Sequence, residues 1–166
     1  TAELGYEIYS LAGNTDYKKL WNTIIDVGAP LGLQLDGILS MEMRRIEGGI
    51  LDNNTDFDSS MNPYEAGLGS LVDLDKDDFI GKKSLENFSL KSGKRLFGLI
   101  SDKPLKYKSH ICLSDDKSVG CLPASTWSPT LKKVIGFGHL NNECFDTTQK
   151  IDLLWENNEK ISASLC

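Results

Sequence analysis

Hydrophobic residues change their spacing partway along the chain, and that change narrows the folds open to it. Tyr17, Leu20, Trp21, Ile24 and Ile25 recur at helical intervals, as do Leu35, Ile38, Leu39, Met43 and Ile46. Beyond Ser92-Gly93-Lys94 this period is gone. Short alternating runs take its place at Leu96–Ile100, Ser109–Leu113, Ser118–Leu122, Val134–His139, Ile151–Trp155 and Ile161–Leu165, with turn residues between them. Helices first and strands afterwards define an α+β chain. The six runs suit a small all-β barrel or sandwich. The break divides the chain into residues 1–91 and residues 92–166.

Punctuation supports these elements. Asn14 or Thr15 can cap the first helix, because a side-chain oxygen satisfies an orphan N–H of the first turn, and Gly28 and Pro30 end it. Gly48-Gly49 stops the second helix. Residues 6–11 alternate as a strand, broken by Ala12-Gly13-Asn14. Residues 52–62 read as a loop, Leu71–Leu74 as a short strand, and Asp75–Asp78 as a turn. A short helix from about Lys82 to Phe88 presents Leu85 and Phe88. The chain enters strand-like alternation at once, with no Met, and so reads as part of a longer protein.

With 18 Lys+Arg against 24 Asp+Glu, the 166-residue chain carries a net charge of −6. An acidic surface repels phosphate backbones, which argues against a nucleic-acid partner. Apolar runs fall short of the roughly 20 residues that span a bilayer, so no membrane role is expected. Cys112, Cys121, Cys144 and Cys166 show no C-x-x-C pairing, so they read as reduced thiols in a cytoplasmic or otherwise reducing compartment.

Spacing alone yields no catalytic motif and no metal site. His110 and His139 read as ordinary strand histidines. Asp73-x-Asp75-x-Asp77-Asp78 lacks the sixth-position Gly and twelfth-position Glu of a calcium loop, and reads as a solvated turn. Arg44-Arg45 near the end of the second helix complements the negative helix terminus, although a guanidinium also suits a ligand's carboxylate or carbonyl. Glu3 is a lone carboxylate beside small residues. Asn62-Pro63-Tyr64-Glu65-Ala66-Gly67-Leu68-Gly69 is a turn leading into the expected strand, with glycines that allow close backbone approach.

Five segments, in order, resemble the glycine-cleavage T-protein family. Ala2-Glu3-Leu4-Gly5-Tyr6-Glu7-Ile8 is similar to its G-E-x-G-x-E segment, and Arg45-Ile46-Glu47-Gly48-Gly49 to L-R-L-E-x-G. Residues 62–69 resemble T-P-F-E-A-G-L-G, and Asp78-Phe79-Ile80-Gly81-Lys82 resembles D-F-I-G-(K/R). Thr126-Trp127-Ser128-Pro129-Thr130-Leu131-Lys132-Lys133, followed by Ile135-Gly136, resembles T-F-S-P-T-L-K-K. The resemblance implies the C-terminal part of a three-part enzyme. Residues 1–91 would be the C-terminal portion of its folate-binding α/β domain, and residues 92–166 its C-terminal antiparallel β-barrel.

Its implied reaction transfers a one-carbon unit to tetrahydrofolate from a small donor or a lipoyl carrier protein. Glu3 would hold the pterin ring through charge-assisted N–H bonds. Tyr6 and Trp127 would pack against flat parts of the ligand, and Arg45 would lie on the helix lining the site. The family's catalytic aspartate lies upstream of Glu3, so no catalytic residue is expected in this chain, which would be inactive without the N-terminal half. Met41 stands where aminomethyltransferases carry Arg, Arg44 where they carry Leu, and Leu122-Pro123-Ala124-Ser125 where V-T-S-G is usual. Of these departures, the Arg44-Arg45-Ile46-Glu47-Gly48-Gly49 pattern resembles folate-dependent O-, S- or N-demethylases. A non-catalytic folate-binding module is a further alternative, but its K-G-C-Y-x-G-Q-E motif has no counterpart in Glu47–Asp52. The tail of a flavin-dependent demethylating oxidase is another.

Overall fold

The computed structural model describes residues 2–11, 13–88, 93–103, 111–114, 117–141, 150–154 and 159–166. Three helices come first: α1 (Tyr17–Gly28), α2 (Ile38–Glu47) and α3 (Lys82–Glu86). Six strands follow: β1 (Lys94–Ser101), β2 (Ile111–Ser114), β3 (Lys117–Ser128), β4 (Lys133–Asn141), β5 (Lys150–Leu154) and β6 (Lys160–Leu165). The mixed helix-then-sheet order is the one the change of period implies. The 91/92 division falls among residues outside the described set, as does His110.

Asp16 caps α1, its carboxylate accepting from Lys19 N at 2.9 Å. This cap lies one or two residues beyond the expected position, and the Thr15 hydroxyl instead donates to Leu11 O at 3.1 Å. Leu20, Ile24 and Ile25 are half-buried, whereas Tyr17 and Trp21 of the same stripe stay exposed. Helix α2 begins at Ile38, so Leu35 of its expected stripe precedes it. It closes in a Schellman motif: Gly49 N donates to Ile46 O at 3.1 Å and Ile50 N to Arg45 O at 2.8 Å. Gly49 takes φ 70° there, a left-handed value that costs glycine no Cβ clash.

Two expected strands are replaced. Residues 6–11 run without regular secondary structure, Tyr6 and Leu11 being 88% and 90% exposed. Alternation alone does not make a strand; no other described segment lies alongside to supply the ladder. At Leu71–Leu74 the chain instead finishes a 3₁₀ turn, Gly69–Leu71, with Val72 N bonded back to Gly69 O at 3.1 Å. The preceding segment, residues 62–69, is a capped turn. Asn62 Oδ1 accepts from Tyr64 N and Glu65 N at 2.9 and 3.1 Å, while Glu65 Oε2 accepts from Asn62 N at 3.0 Å. Leu96 N then donates to Glu65 O at 2.9 Å, tying this turn to β1.

The strands form a curled antiparallel sheet in the order β1-β4-β3-β2-β5-β6. Its two ends meet where Leu99 and Ile100 of β1 pair with Leu165 and Ser164 of β6. Burial alternates along β6, so Ile161, Ala163 and Leu165 point inward. They join Leu99, Val119, Leu122, Leu140, Ile151 and Leu153 in the core, with Phe97 packed against it. The β3–β4 register shifts between Cys121 and Ala124. Pro123, which has no N–H for a ladder, falls inside this irregularity.

Leu140 is 0% exposed at the centre of that core, whereas Leu131 in the β3–β4 turn is 53% exposed. Leu140→Ala is expected to cost about 2–5 kcal/mol in urea unfolding, and Leu131→Ala less than about 0.5 kcal/mol. Equal losses would contradict this placement of the core.

Candidate functional site

The last turn of α2 meets the β3–β4 turn through one carboxylate. Glu47 sits at the negative end of its helix, where a carboxylate is unfavourable in isolation. Donors from the sheet compensate. Ser128 Oγ donates to Glu47 Oε1 at 2.5 Å, Thr130 N to the same oxygen at 3.3 Å, and Thr130 Oγ1 to Oε2 at 3.3 Å. Arg44 Nη1 lies 3.3 Å from Glu47 Oε2. The Ser128 hydrogen bond is the largest influence on the Glu47 carboxyl. Partial burial opposes it, while Thr130 and Arg44 add to it, and the pKa is held below the ordinary glutamate range. Ser128 is fully buried and also receives Leu131 N at 3.0 Å, fixing the turn that follows β3.

Arg44 also pairs with Glu3, linking the N-terminal segment to the helix. Close approach helps hold that segment: a Cβ on Gly48 would lie 2.4 Å from the Ala2 Cβ, so only glycine fits there. Ala2, Arg44, Glu47, Gly48, Ser128 and Thr130, with the apolar Leu131 and Ile135, line a cleft of 310 Å³. That is near the lower end of the roughly 300–1,000 Å³ range of small-molecule sites.

Arg45 faces the other way. Its Nη1 donates to Asp56 Oδ2 at 2.6 Å and to Ile50 O at 3.2 Å, and its Nε donates to Glu42 Oε2 at 2.9 Å. Burial works against its charge, but Glu42 and Asp56 outweigh that effect and raise its pKa. Asp56 is 0% exposed and also accepts from Asp52 N at 2.8 Å. Its backbone carbonyl meets His139 Nε2 on β4. Burial lowers the His139 pKa and favours the neutral ring, against the pull of Asp56. Asp56 and His139 also border a second cleft, of 520 Å³, shared with Asp58, Glu65, Lys94 and Cys121.

The four residues singled out from sequence thus stand in different surroundings. Glu3 lies beside the 310 Å³ cleft through Arg44; Tyr6 is exposed and does not line it. Arg45 has its guanidinium turned into the Asp56 loop. Trp127 is 46% exposed on β3, adjacent to buried Ser128, and alternation points the two side chains to opposite faces. Arg44 was marked only as one of a pair with Arg45, and Glu47, Ser128 and Thr130 were not singled out as site residues, although Glu47 carried a signal: an acidic residue at a helix C-terminus calls for outside donors. Among the described residues no helix is long and apolar enough to cross a membrane, and no group of three or more His, Cys, Asp or Glu could hold a metal ion.

Residues 1–76 match the family model described as the GCVT N-terminal domain. The chain is 33% identical over 145 residues to an aminomethyltransferase of Halalkalibacterium halodurans, covering 86% of this chain and 39% of that protein. Against the aminomethyltransferase of Pseudothermotoga lettingae the identity is 34%, again covering 86% and 39%. For that of Thermotoga neapolitana it is 29% over 156 residues, covering 93% and 42%. The chain therefore spans about two fifths of these relatives' length. The crystal structure of the glycine cleavage system aminomethyltransferase T from Bartonella henselae superposes with a TM-score of 0.70 at 16% identity, over 89% of this chain and 42% of that one. At that identity the superposition establishes a shared fold.

Removing one partner of a buried ion pair strands the other, at a cost of about 3–5 kcal/mol. Asp56→Ala is expected to lose about that much in urea unfolding, and a loss below about 1 kcal/mol would rule out the pair as the anchor of α2. The Glu47 contact adds stability above the ordinary glutamate pKa of about 4.3, and that contribution disappears as pH falls through the depressed folded-state value. The urea midpoint of Glu47→Gln should therefore drop less steeply between about pH 5 and pH 3 than that of the unaltered chain. Parallel acid limbs would overturn this.

Proposed function

We propose, from its similarity to aminomethyltransferases, that the chain is the tetrahydrofolate-supporting part of a one-carbon transferase of the glycine-cleavage T-protein family. The observation that carries this reading is the 310 Å³ cleft beside Glu3, where a carboxylate and a guanidinium stand together above Gly48. Residues 1–91 are read as the C-terminal portion of the folate-binding domain, and residues 92–166 as the small barrel that closes it.

The acceptor at Glu3 suits a pterin. An ionised carboxylate only accepts, and a pterin presents an amino group and a ring N–H along one edge, so Glu3 can take both in charge-assisted bonds. Tyr6 is an exposed aromatic on the segment that carries Glu3, available to cover flat parts of the ligand, whereas Trp127 points to the face of β3 opposite Ser128 and is not so placed. Arg45 acts from behind: anchored on Asp56, it holds α2 so that Arg44 and Glu47 reach the cleft. Glu47, through Ser128 and Thr130, fixes the turn that brings Leu131 to the cleft.

Tetrahydrofolate, when bound, supplies the N5 nitrogen that takes up the one-carbon unit. The chain's own residues orient the ring and exclude water, and orientation of this kind supplies a large part of the barrier reduction in group transfer. None of them is assigned the chemical step, so the chain by itself is read as a binding and positioning unit. An aminomethyl group on a lipoyl carrier is the first reading for the donor. A methyl group on oxygen, sulfur or nitrogen is the second, favoured by Met41, exposed on α2 where the resembling aminomethyltransferases carry arginine.

Calorimetric titration of the chain with tetrahydrofolate tests the site. Binding is expected for the unaltered protein, and Glu3→Ala should weaken it about tenfold or more, as for a hydrogen bond to a charged group. Equal affinities would remove Glu3 from the site, and no binding by the unaltered chain would sink the reading.

A further inference from the structure

Arg44, rather than its neighbour Arg45, is the guanidinium that borders the cleft. It stands between two carboxylates. Nη2 meets Glu3 Oε1, and Nη1 lies 3.3 Å from Glu47 Oε2. A guanidinium has five N–H groups, so these two contacts leave others available. Its side chain is 44% exposed and therefore accessible to a ligand, whereas that of Arg45 is 10% exposed and held by Glu42, Ile50 and Asp56.

The pair formed by Glu3 and Arg44 sets two acceptor oxygens next to a row of donors. Read from its amino group, the edge of a 2-amino-4-oxo pyrimidine ring runs donor, donor, acceptor: the amino N–H, the ring N–H, and the oxo oxygen. The two arrays are complementary. Resting on the reading of Glu3 given above, we propose that Arg44 is a specificity-determining residue, donating to the oxo oxygen of the ring whose two N–H groups Glu3 accepts. Glu47 positions Arg44 for this by holding its other Nη, with Ser128 and Thr130 fixing Glu47 in turn. The guanidinium is thus ordered before the ligand arrives, which reduces the entropy lost on binding.

Such a site discriminates against an analogue that replaces the oxo group with an amino group. That change turns an N–H toward the guanidinium and removes the ring N–H that Glu3 accepts. Sites built to hydrogen-bond a substrate reject analogues that leave their polar groups unpaired.

Calorimetry on the full chain with 2-amino-4-oxo-6,7-dimethylpteridine, 2,4-diamino-6,7-dimethylpteridine and guanosine tests the assignment. Guanosine carries the same donor–donor–acceptor edge on a different ring system. For the unaltered chain the oxo compound should bind at least about tenfold more tightly than the diamino compound. Arg44→Met should reduce that ratio about tenfold, and Arg44→Lys, which keeps a donor, should retain most of it; thermal melts confirm that both variants fold. A ratio unchanged in Arg44→Met, or equal weakening of both pteridines, would reduce Arg44 to a support for Glu3 and overturn the proposal. Guanosine binding more tightly than the oxo pteridine would overturn the pterin assignment. If the unaltered chain binds none of the three, the reading of Glu3 itself fails, and this assignment with it.

Discussion

The buried pair of Arg45 and Asp56 sets the rotation of α2, and much of the rest depends on that rotation. Successive residues on a helix are turned by about 100°. With Arg45 directed into the loop at 52–56, Arg44 and Glu47, three apart and on one face, are left to point toward the N-terminal segment and the β3–β4 turn. Ion pairs of this kind add little net stability over an apolar replacement, because desolvation offsets the attraction. Their strength lies in being intolerant of misplacement. A helix rotated so that Ile46 took the place of Arg45 would leave the buried Asp56 carboxylate without its cation.

Glu47 transmits this placement to the sheet. Its carboxylate opposes the helix dipole, so the helix alone would not favour it. Four donors from two other elements and the helix itself make the position favourable: Ser128 Oγ, Thr130 N, Thr130 Oγ1 and Arg44 Nη1. The Schellman closure at Gly49 lets the chain leave the helix sharply, sending residues 50–56 back to deliver Asp56. Helix end, loop and sheet are thus joined twice, once on each side of α2. The second joint, through the Asp56 carbonyl and His139, reaches β4.

Much of this was legible from spacing, and what was not has physical causes. The six alternating runs correspond to β1–β6 because alternation in a sheet reports which face is buried, and the core of this sheet is inside. Residues 6–11 alternate too, and residues 71–74 read as a strand, yet pairing depends on a neighbouring strand that no local pattern encodes. Arg44-Arg45 shows a second limit. Adjacent helix residues diverge in direction, so the dipeptide announced that one guanidinium could face a ligand without saying which. That choice was made by Asp56, eleven residues downstream in a loop with no regular period. The Pro123 irregularity could be anticipated as a break in the ladder, but not the register that resumes at Ala124.

The way Glu3 is held bears on how a site built here would work. No strand ladder orders its segment; Tyr6 and Leu11 beyond it are almost fully exposed. What fixes it is local, namely the seat of Ala2 on Gly48 and the ion pair with Arg44. An exposed pair of this kind contributes little to folding, about 0–1 kcal/mol, but a small contribution can still order one side chain. Whatever ordering the pair achieves before a ligand arrives need not be repeated when one binds. Affinity at a site built on Glu3 would therefore depend on contacts within the protein, running from Arg44 through Glu47 to the buried hydroxyl of Ser128. The sheet, though distant from Glu3 in sequence, is in this sense part of the site.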